Sequence, residues 1–310
     1  MIDVDDEKIR RIGEVLLDTN KPLKARFRAL FSLRNVPGLL SISYISKAFS
    51  DSSALLKHEL AYCLGQMQDK KAVPLLCDIL QDVNQEPIVR HEAAEALGAI
   101  GDEEAVELLE KYSKDNIREI AETCILALRR MEWARSGEAS QDRSPYNSID
   151  PAPSSSETDL FKLDQILLNP SLSLFERYKA MFALRNLGSD ESALVLTKGL
   201  KTESALFSHE VAFVLGQMQK EVTVPALIDC LSDKSQNEMV RHECAEALGA
   251  IASRECFEIL KKYLNDDKRV VRESCEIALD MGEYEVSRGV REAMRDFHIA
   301  QSSPILSNLL

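Results

Sequence analysis

Four histidines in this 310-residue chain are each followed by a glutamate, and their spacing is regular. His58-Glu59 and His91-Glu92 stand 33 residues apart, His209-Glu210 and His242-Glu243 are also 33 apart, and the second set repeats the first at an offset of 151. The likeness extends beyond the dipeptides. Residues 89–100 (VRHEAAEALGAI) match 240–251 (VRHECAEALGAI) at all but one position. KHELAYCLGQMQ at 57–68 matches SHEVAFVLGQMQ at 208–219, and RFRALFSLRN at 26–35 matches RYKAMFALRN at 177–186. A constant offset through three segments means that the halves align without net insertion, as an internal duplication does. The shorter period of about 33 residues marks stacked helix pairs, each burying its apolar face against its neighbours.

The string VRHEAAEALGAIGD resembles a HEAT-type or phycobilisome-lyase-type helical repeat. The expected fold is therefore all-α: an α-solenoid of about eight HEAT-type helix pairs, four per duplicated half, facing a shared concave di-metal site. Composition agrees, since 45% hydrophobic with only 6% aromatic residues, and few Gly and Pro, suits a soluble helical protein. Residues 134–158 are rich in Ser, Pro and Gly without apolar periodicity, which predicts a mobile linker. That divides the chain into an N-terminal half (1–133), a linker (134–158), a C-terminal half (159–282) and a tail (283–310).

No apolar run approaches the length of a membrane span, and MIDVDDEK is acidic where a signal peptide would be basic. A cytoplasmic protein without a membrane partner is expected. Seven cysteines form no CxxC pair and read as reduced thiols packed in helices. A net charge of −13 disfavours nucleic acid, whose phosphates need clustered Lys and Arg, and favours a cationic partner.

Val89, Ala93, Ala96, Leu97 and Ile100 follow the rhythm of one buried helix face. At about 100° per residue, His91 points away from that face, Glu92 sits on its flank and Glu95 lies near it. Leu56, Leu60, Cys63, Leu64 and Met67 give His58 and Glu59 the same aim. Second helices of stacked pairs line the concave surface, so all four histidines should project into one hollow. Glu59 and Glu92 lean to the same side of successive helices, so one glutamate per half is expected to reach the gap between the histidines. Spacing leaves open which, and leaves Glu95 and Glu246 as further candidates. Gly65, Gly98, Gly216 and Gly249, each seven residues past an HE histidine, suit close helix packing. Arg34-Asn35 and Arg185-Asn186 read as structural helix ends, and His298 lacks a repeat partner.

Imidazole and carboxylate together suit first-row divalent metals, and two histidines with one carboxylate is the set used by non-haem Fe(II) oxygenases. HEAAE and HECAE lack the second histidine of the zinc-protease HExxH, and the ferritin-like Glu-x-x-His pattern is missing around these sites. A metal centre here needs its own scaffold.

Four HE motifs in a duplicated HEAT-type chain, with LGQMQ after the first and third and VRHE-x-AEALGAI spanning the second and fourth, closely resemble the deoxyhypusine hydroxylase family. The likeness covers nearly the whole chain apart from the linker and the two ends. It implies a di-iron monooxygenase that uses O2 and an external electron donor to convert deoxyhypusine to hypusine on a protein substrate, a eukaryotic translation initiation factor. It also implies one iron held by His58, His91 and Glu92, the other by His209, His242 and Glu243, and substrate amines bound by Glu59 and Glu210. No side chain is assigned as acid, base or nucleophile. The competing class is a non-catalytic HEAT-type scaffold or a bilin-lyase-like repeat protein.

Overall fold

A computed structural model describes residues 5–136 and 144–301, with side chains described to residue 287. Sixteen α-helices pair in sequence order among the described residues. The N-terminal half holds α1 (Asp6–Leu17) with α2 (Leu23–Arg34), α3 (Leu39–Lys47) with α4 (Ala54–Met67), α5 (Val73–Gln81) with α6 (Pro87–Ile100), and α7 (Val106–Tyr112) with α8 (Arg118–Arg135). The C-terminal half holds α9 (Leu160–Leu168) with α10 (Leu174–Leu187), α11 (Asp190–Thr197) with α12 (Ala205–Met218), α13 (Val224–Ser232) with α14 (Glu238–Ile251), and α15 (Arg254–Tyr263) with α16 (Arg269–Gln301). The last turns of α16 belong to the segment expected as a tail; His298 lies beyond the described side chains, and 302–310 lie outside the described residues.

Local chemistry explains where the histidine-bearing helices begin and end. Ser53 caps α4 by accepting from Leu56 N–H at 3.0 Å, and Ser204 caps α12 through Phe207 N–H at 3.0 Å. Pro87 opens α6, where its missing N–H costs nothing. At the far ends Gln68, Gly101, Gln219 and Ala252 take left-handed conformations that stop the helices.

The even-numbered helices form the inner layer and stack on one another. Their flanks carry small residues: a Cβ added at Gly65 would lie 2.8 Å from Ala96 Cα, one at Gly98 2.8 Å from Ala127 Cα, and one at Gly249 2.6 Å from Ala278 Cα. Glycine is needed there for backbone contact, as the spacing suggested. Close stacking has a consequence that one-face periodicity misses. Helix α6 is buried nearly all round, including Arg90, His91, Glu92, Ala93 and Ala94, because Ala and Gly flanks pack against neighbouring helices while the apolar face packs on α5.

The solenoid closes on itself. Helix α8 meets α10 and α12, and α16 returns to α2 and α4, so the expected hollow is the bore of a ring. Both seams share one set of contacts. Ser53 Oγ donates to Glu273 at 2.7 Å, and Arg269 donates to Glu273 and to Ser52 O. At the other seam Ser204 Oγ donates to Glu122 at 2.6 Å, and Arg118 donates to Glu122 and to Glu203 O. The serines thus cap α4 and α12, two of the four HE helices, and lock the ring at once, since a hydroxyl both accepts and donates.

Part of the stretch expected to be a mobile linker is instead a packed strap. Arg185, 1% exposed, clamps the Asp150 carboxylate at 2.6 and 3.1 Å, Arg130 Nε donates to Asp150 O at 2.8 Å, and Gln66 pairs with both backbone groups of Ile149. Ala152 in the same stretch is buried. Ser/Pro-rich composition signals an absence of regular structure, and it does not exclude pinning by arginines from elsewhere in the chain. Residues 137–143 lie outside the described residues. No described helix is long and apolar enough to cross a membrane.

Candidate metal centre

In VRHE each residue has its own destination. Val89 enters the core; Arg90 turns to the loop layer, donating to Leu80 O at 2.9 Å and to Asp115 at 3.0 Å. His91 and Glu92 are left facing the bore. Arg241 repeats this with Leu231 O at 2.8 Å and a two-bond grip on Asp266 at 3.1 and 2.6 Å. Arg26 and Arg177 make the same contact to the carbonyls of Leu16 and Leu167. These anchoring arginines were not singled out from the sequence, although the duplicated segments containing them carried the signal.

Ring closure brings the four histidines together. Ring centroids lie 5.4 Å apart for His58–His91, 5.3 Å for His209–His242, and 5.4–5.9 Å across the halves. They project into one hollow, as expected, and inside it His91 and His242 are 0% exposed and His58 and His209 only 4% and 5%. The other half of the ring covers them, which helical periodicity within one half cannot foretell.

Glu92 Oε2 approaches His58 Nε2 to 3.2 Å, and Glu243 Oε2 approaches His209 Nε2 to 3.2 Å. Neither contact has hydrogen-bond geometry. Nε2 of all four imidazoles, with Nδ1 of His91 and His209, is buried without a hydrogen-bond partner. Buried polar atoms are seldom left so, and lone-pair donors converging in this way fit divalent cations. Candidate ligand atoms of His58, His91 and Glu92 lie within 4.8 Å of one another, and a second compact set, His58, His209 and His242, spans the halves. Within the duplicate triad the close contact is His209–Glu243. Glu59 Oε1 lies 3.1 Å from His58 Nδ1, and Glu246 Oε1 lies 3.4 Å from His242 Nδ1 while accepting from Ser274 Oγ at 2.9 Å. Carboxylates on Nδ1 orient imidazoles so that Nε2 is free to bind metal.

A cavity of about 270 Å3 opens over these groups. Glu59, Glu92, Glu95, Glu210, Glu243 and Glu246 line it with His58 and His209, while no Lys or Arg is among the lining residues. Crowding shows in the acidities. Burial, then repulsion from Glu92, pushes Glu95 up to about 8. Burial first and neighbouring carboxylates second raise Glu210 and Glu243 well above the usual range, and burial raises Glu59 and Glu246 too. Burial lowers His209 to about 4 and pulls His91 and His242 well down, with neighbouring imidazoles adding to it. His58 differs: burial acts downward, but Glu92 and Glu59 on either side outweigh it and raise the group. The seven described thiols are all free, and six are buried.

The ring and its paired His/Glu bore define a HEAT-repeat protein with a site of metal-ligating type. The HEAT repeats family matches residues 42–129 and 193–280, two stretches that are themselves offset by 151, and the PBS lyase HEAT-like repeat matches 176–202. The deoxyhypusine hydroxylase of Bos taurus is 57% identical over 283 residues, covering 91% of this chain and 93% of that protein. The Homo sapiens protein of that name is 56% identical over 290 residues, covering 94% and 96%. The solved structure of human deoxyhypusine hydroxylase in complex with glycerol superposes with a TM-score of 0.88 at 57% identity, covering 90% of this chain and 96% of that one. The chain belongs to the deoxyhypusine hydroxylase family.

Proposed function

We propose that this protein is an iron-dependent monooxygenase that hydroxylates the deoxyhypusine side chain of a translation initiation factor. One iron is assigned to His58, His91 and Glu92 and the other to His209, His242 and Glu243, with Glu59 and Glu210 binding the substrate's amines. Residues 1–133 and 159–282 are the two halves that each contribute one set.

The observation that carries this reading is charge. Six carboxyl groups share one buried cavity with no Lys or Arg on its lining; burial without cations pushes Glu95, Glu210 and Glu243 towards their neutral form, and all six can ionise together only when positive charge is bound among them. Two divalent ions would balance four of the carboxylates, and a substrate chain with two ammonium groups would balance the other two. Burial keeps His91, His209 and His242 in the neutral form that ligates, so metal should be held at neutral pH and lost as pH falls and the imidazoles protonate.

Bound iron would supply the activation of O2 that acid–base side chains lack. The protein's own part is to place the chain. Glu59 and Glu210 hold the nitrogens so that the C–H bond between them faces the histidines, while Tyr62 and Phe213 wall the cavity beside it. One oxygen atom enters that bond; the other leaves as water, with two protons and two electrons from an external donor. The test combines metal analysis of protein purified without chelators with mass analysis of the substrate protein. About two irons per chain and the gain of one oxygen atom are expected. Active protein holding zinc alone would refute the iron assignment, and a metal-free protein that binds without turnover would favour the scaffold reading.

A further inference from the structure

The duplication builds the cavity mouth twice, and the strap lies against one copy only. One lobe is bounded by Phe31 of α2, Glu59 and Tyr62 of α4, Glu246 and Ala250 of α14, and Met281 of α16, all of which line the cavity. The duplicate positions are Phe182, Glu210, Phe213, Glu95, Ala99 and Arg130. Of these, Glu210, Phe213 and Glu95 line the cavity, as do Gly216 and Gln217 of α12, whereas the outer positions Phe182, Ala99 and Arg130 do not; Gln217 is itself tied to Arg185 and to Ser148 of the strap.

The strap accounts for the difference. Over the second lobe Asp150 is held by Arg185 and, through its carbonyl, by Arg130; Tyr146 lies 4.9 Å from the Arg185 guanidinium. In the first lobe the position of Arg130 is taken by Met281, and Arg34, the duplicate of Arg185, lies over the Phe31 ring at 5.2 Å. The open lobe also holds its carboxylates in its own way. Glu246 accepts from Ser274 and lies by His242, and Glu59 lies by His58. On the covered side Thr123, the duplicate of Ser274, donates back to Glu119 O at 2.7 Å, so Glu95 lacks that donor.

We propose that the deoxyhypusine chain enters through the lobe between α2, α4, α14 and α16, where Glu246 joins Glu59 in receiving the nitrogen nearer the substrate's backbone, and that its terminal nitrogen ends in the covered lobe at Glu210 and Glu95. This rests on the monooxygenase reading above. The chemistry of the two nitrogens matches the two lobes. A secondary ammonium in mid-chain has two N–H donors, one for each carboxylate of the open pair, and the chain passes it on both sides. A terminal ammonium ends the chain, so its lobe can be closed from outside. The carbon between them then lies across the histidines. Phe31, Tyr62 and Met281 give the methylenes an apolar wall.

Steady-state kinetics with the deoxyhypusine-bearing protein, alongside metal content, test this in Glu246→Gln and Met281→Arg. Glutamine keeps an oxygen for Ser274 and His242 and removes only the charge. KM should rise by about tenfold or more with metal content unchanged, as loss of a charge-assisted hydrogen bond predicts. Met281→Arg places in the open lobe the cation that Arg130 provides in the covered one, and should raise KM comparably. Wild-type KM in both variants, or loss of metal from Glu246→Gln, would overturn the proposal. A wild-type protein that hydroxylates nothing would instead overturn the monooxygenase reading.

Discussion

The two halves of the ring share a serine–glutamate–arginine lock at each seam and differ at the mouth, and at one seam Arg28 adds a two-bond grip on Asp280 where the duplicate positions are Lys179 and Arg129. Ser53 with Glu273 and Arg269 is reproduced by Ser204 with Glu122 and Arg118, bond for bond. His58 with Glu92 is reproduced by His209 with Glu243 at the same 3.2 Å. Yet Arg130 and Arg185 pin a strap over one lobe, while their duplicates Met281 and Arg34 leave the other open. Phe27 in one half is Tyr178 in the other, whose hydroxyl has no hydrogen-bond partner and is pushed up by burial first and by Glu210 second. The difference teaches that closing the ring and gathering the histidines draw on the same parts in both halves, whereas the proposed seating of a chain with two unlike nitrogens draws on what the halves do not share.

The strongest way to break this picture is at the histidines. His91→Ala and His242→Ala should each lose metal and reduce turnover by at least about a hundredfold, more than the range for losing a ligand's supporting partner. The two losses should be similar; metal analysis and activity that spared one half would end the symmetric assignment. Next come the arginine anchors, where the halves differ in detail. Arg241 grips Asp266 through two bonds with both side chains at most 2% exposed, while Arg90 meets Asp115 through one at 3.0 Å. Asp266→Ala should cost about 3–5 kcal/mol by stranding a buried charge, and Asp115→Ala less, measured by denaturant unfolding. Equal costs would show that the bidentate grip adds nothing.

Smaller effects sharpen the comparison further. Gly249→Ala and Gly216→Ala should both destabilise by about 1–3 kcal/mol through overpacking. Gly249 should cost more, because its added Cβ would meet Ala278 Cα at 2.6 Å against 3.0 Å from Ala247 Cα for Gly216; the reverse ranking in thermal unfolding would mean that the backbones shift apart unequally. The smallest expected change is at the left-handed caps. Gly101, with φ of 72°, has Ala252 as its duplicate at 57°. Gly101→Ala should lose about 1 kcal/mol and Ala252→Gly gain a similar amount, since only glycine takes that conformation without a Cβ penalty. Opposite signs in matched melting curves are the decisive result.

The repeat, the duplication and the residues that meet in the bore were legible in the chain. HE at 58, 91, 209 and 242 recurs with the helix-pair period, and a 33-residue unit that cannot bury its own apolar face has to stack. Gly65 and its three counterparts were readable for the same reason, since a residue type repeated at a fixed place in each unit reflects a contact repeated in each unit. Tertiary structure alone decided the rest. Burial of the histidines arises from the opposite half, reached through seams at Ser53 and Ser204 that no local pattern announces. The pinned strap arises because Arg130 and Arg185, far apart in sequence, find the same Asp150. Which lobe stays open follows from that pin. Periodicity reports what one element presents to its neighbours; it is silent on groups that meet only when the ring closes, because closure depends on summed helix packing angles and not on any one helix.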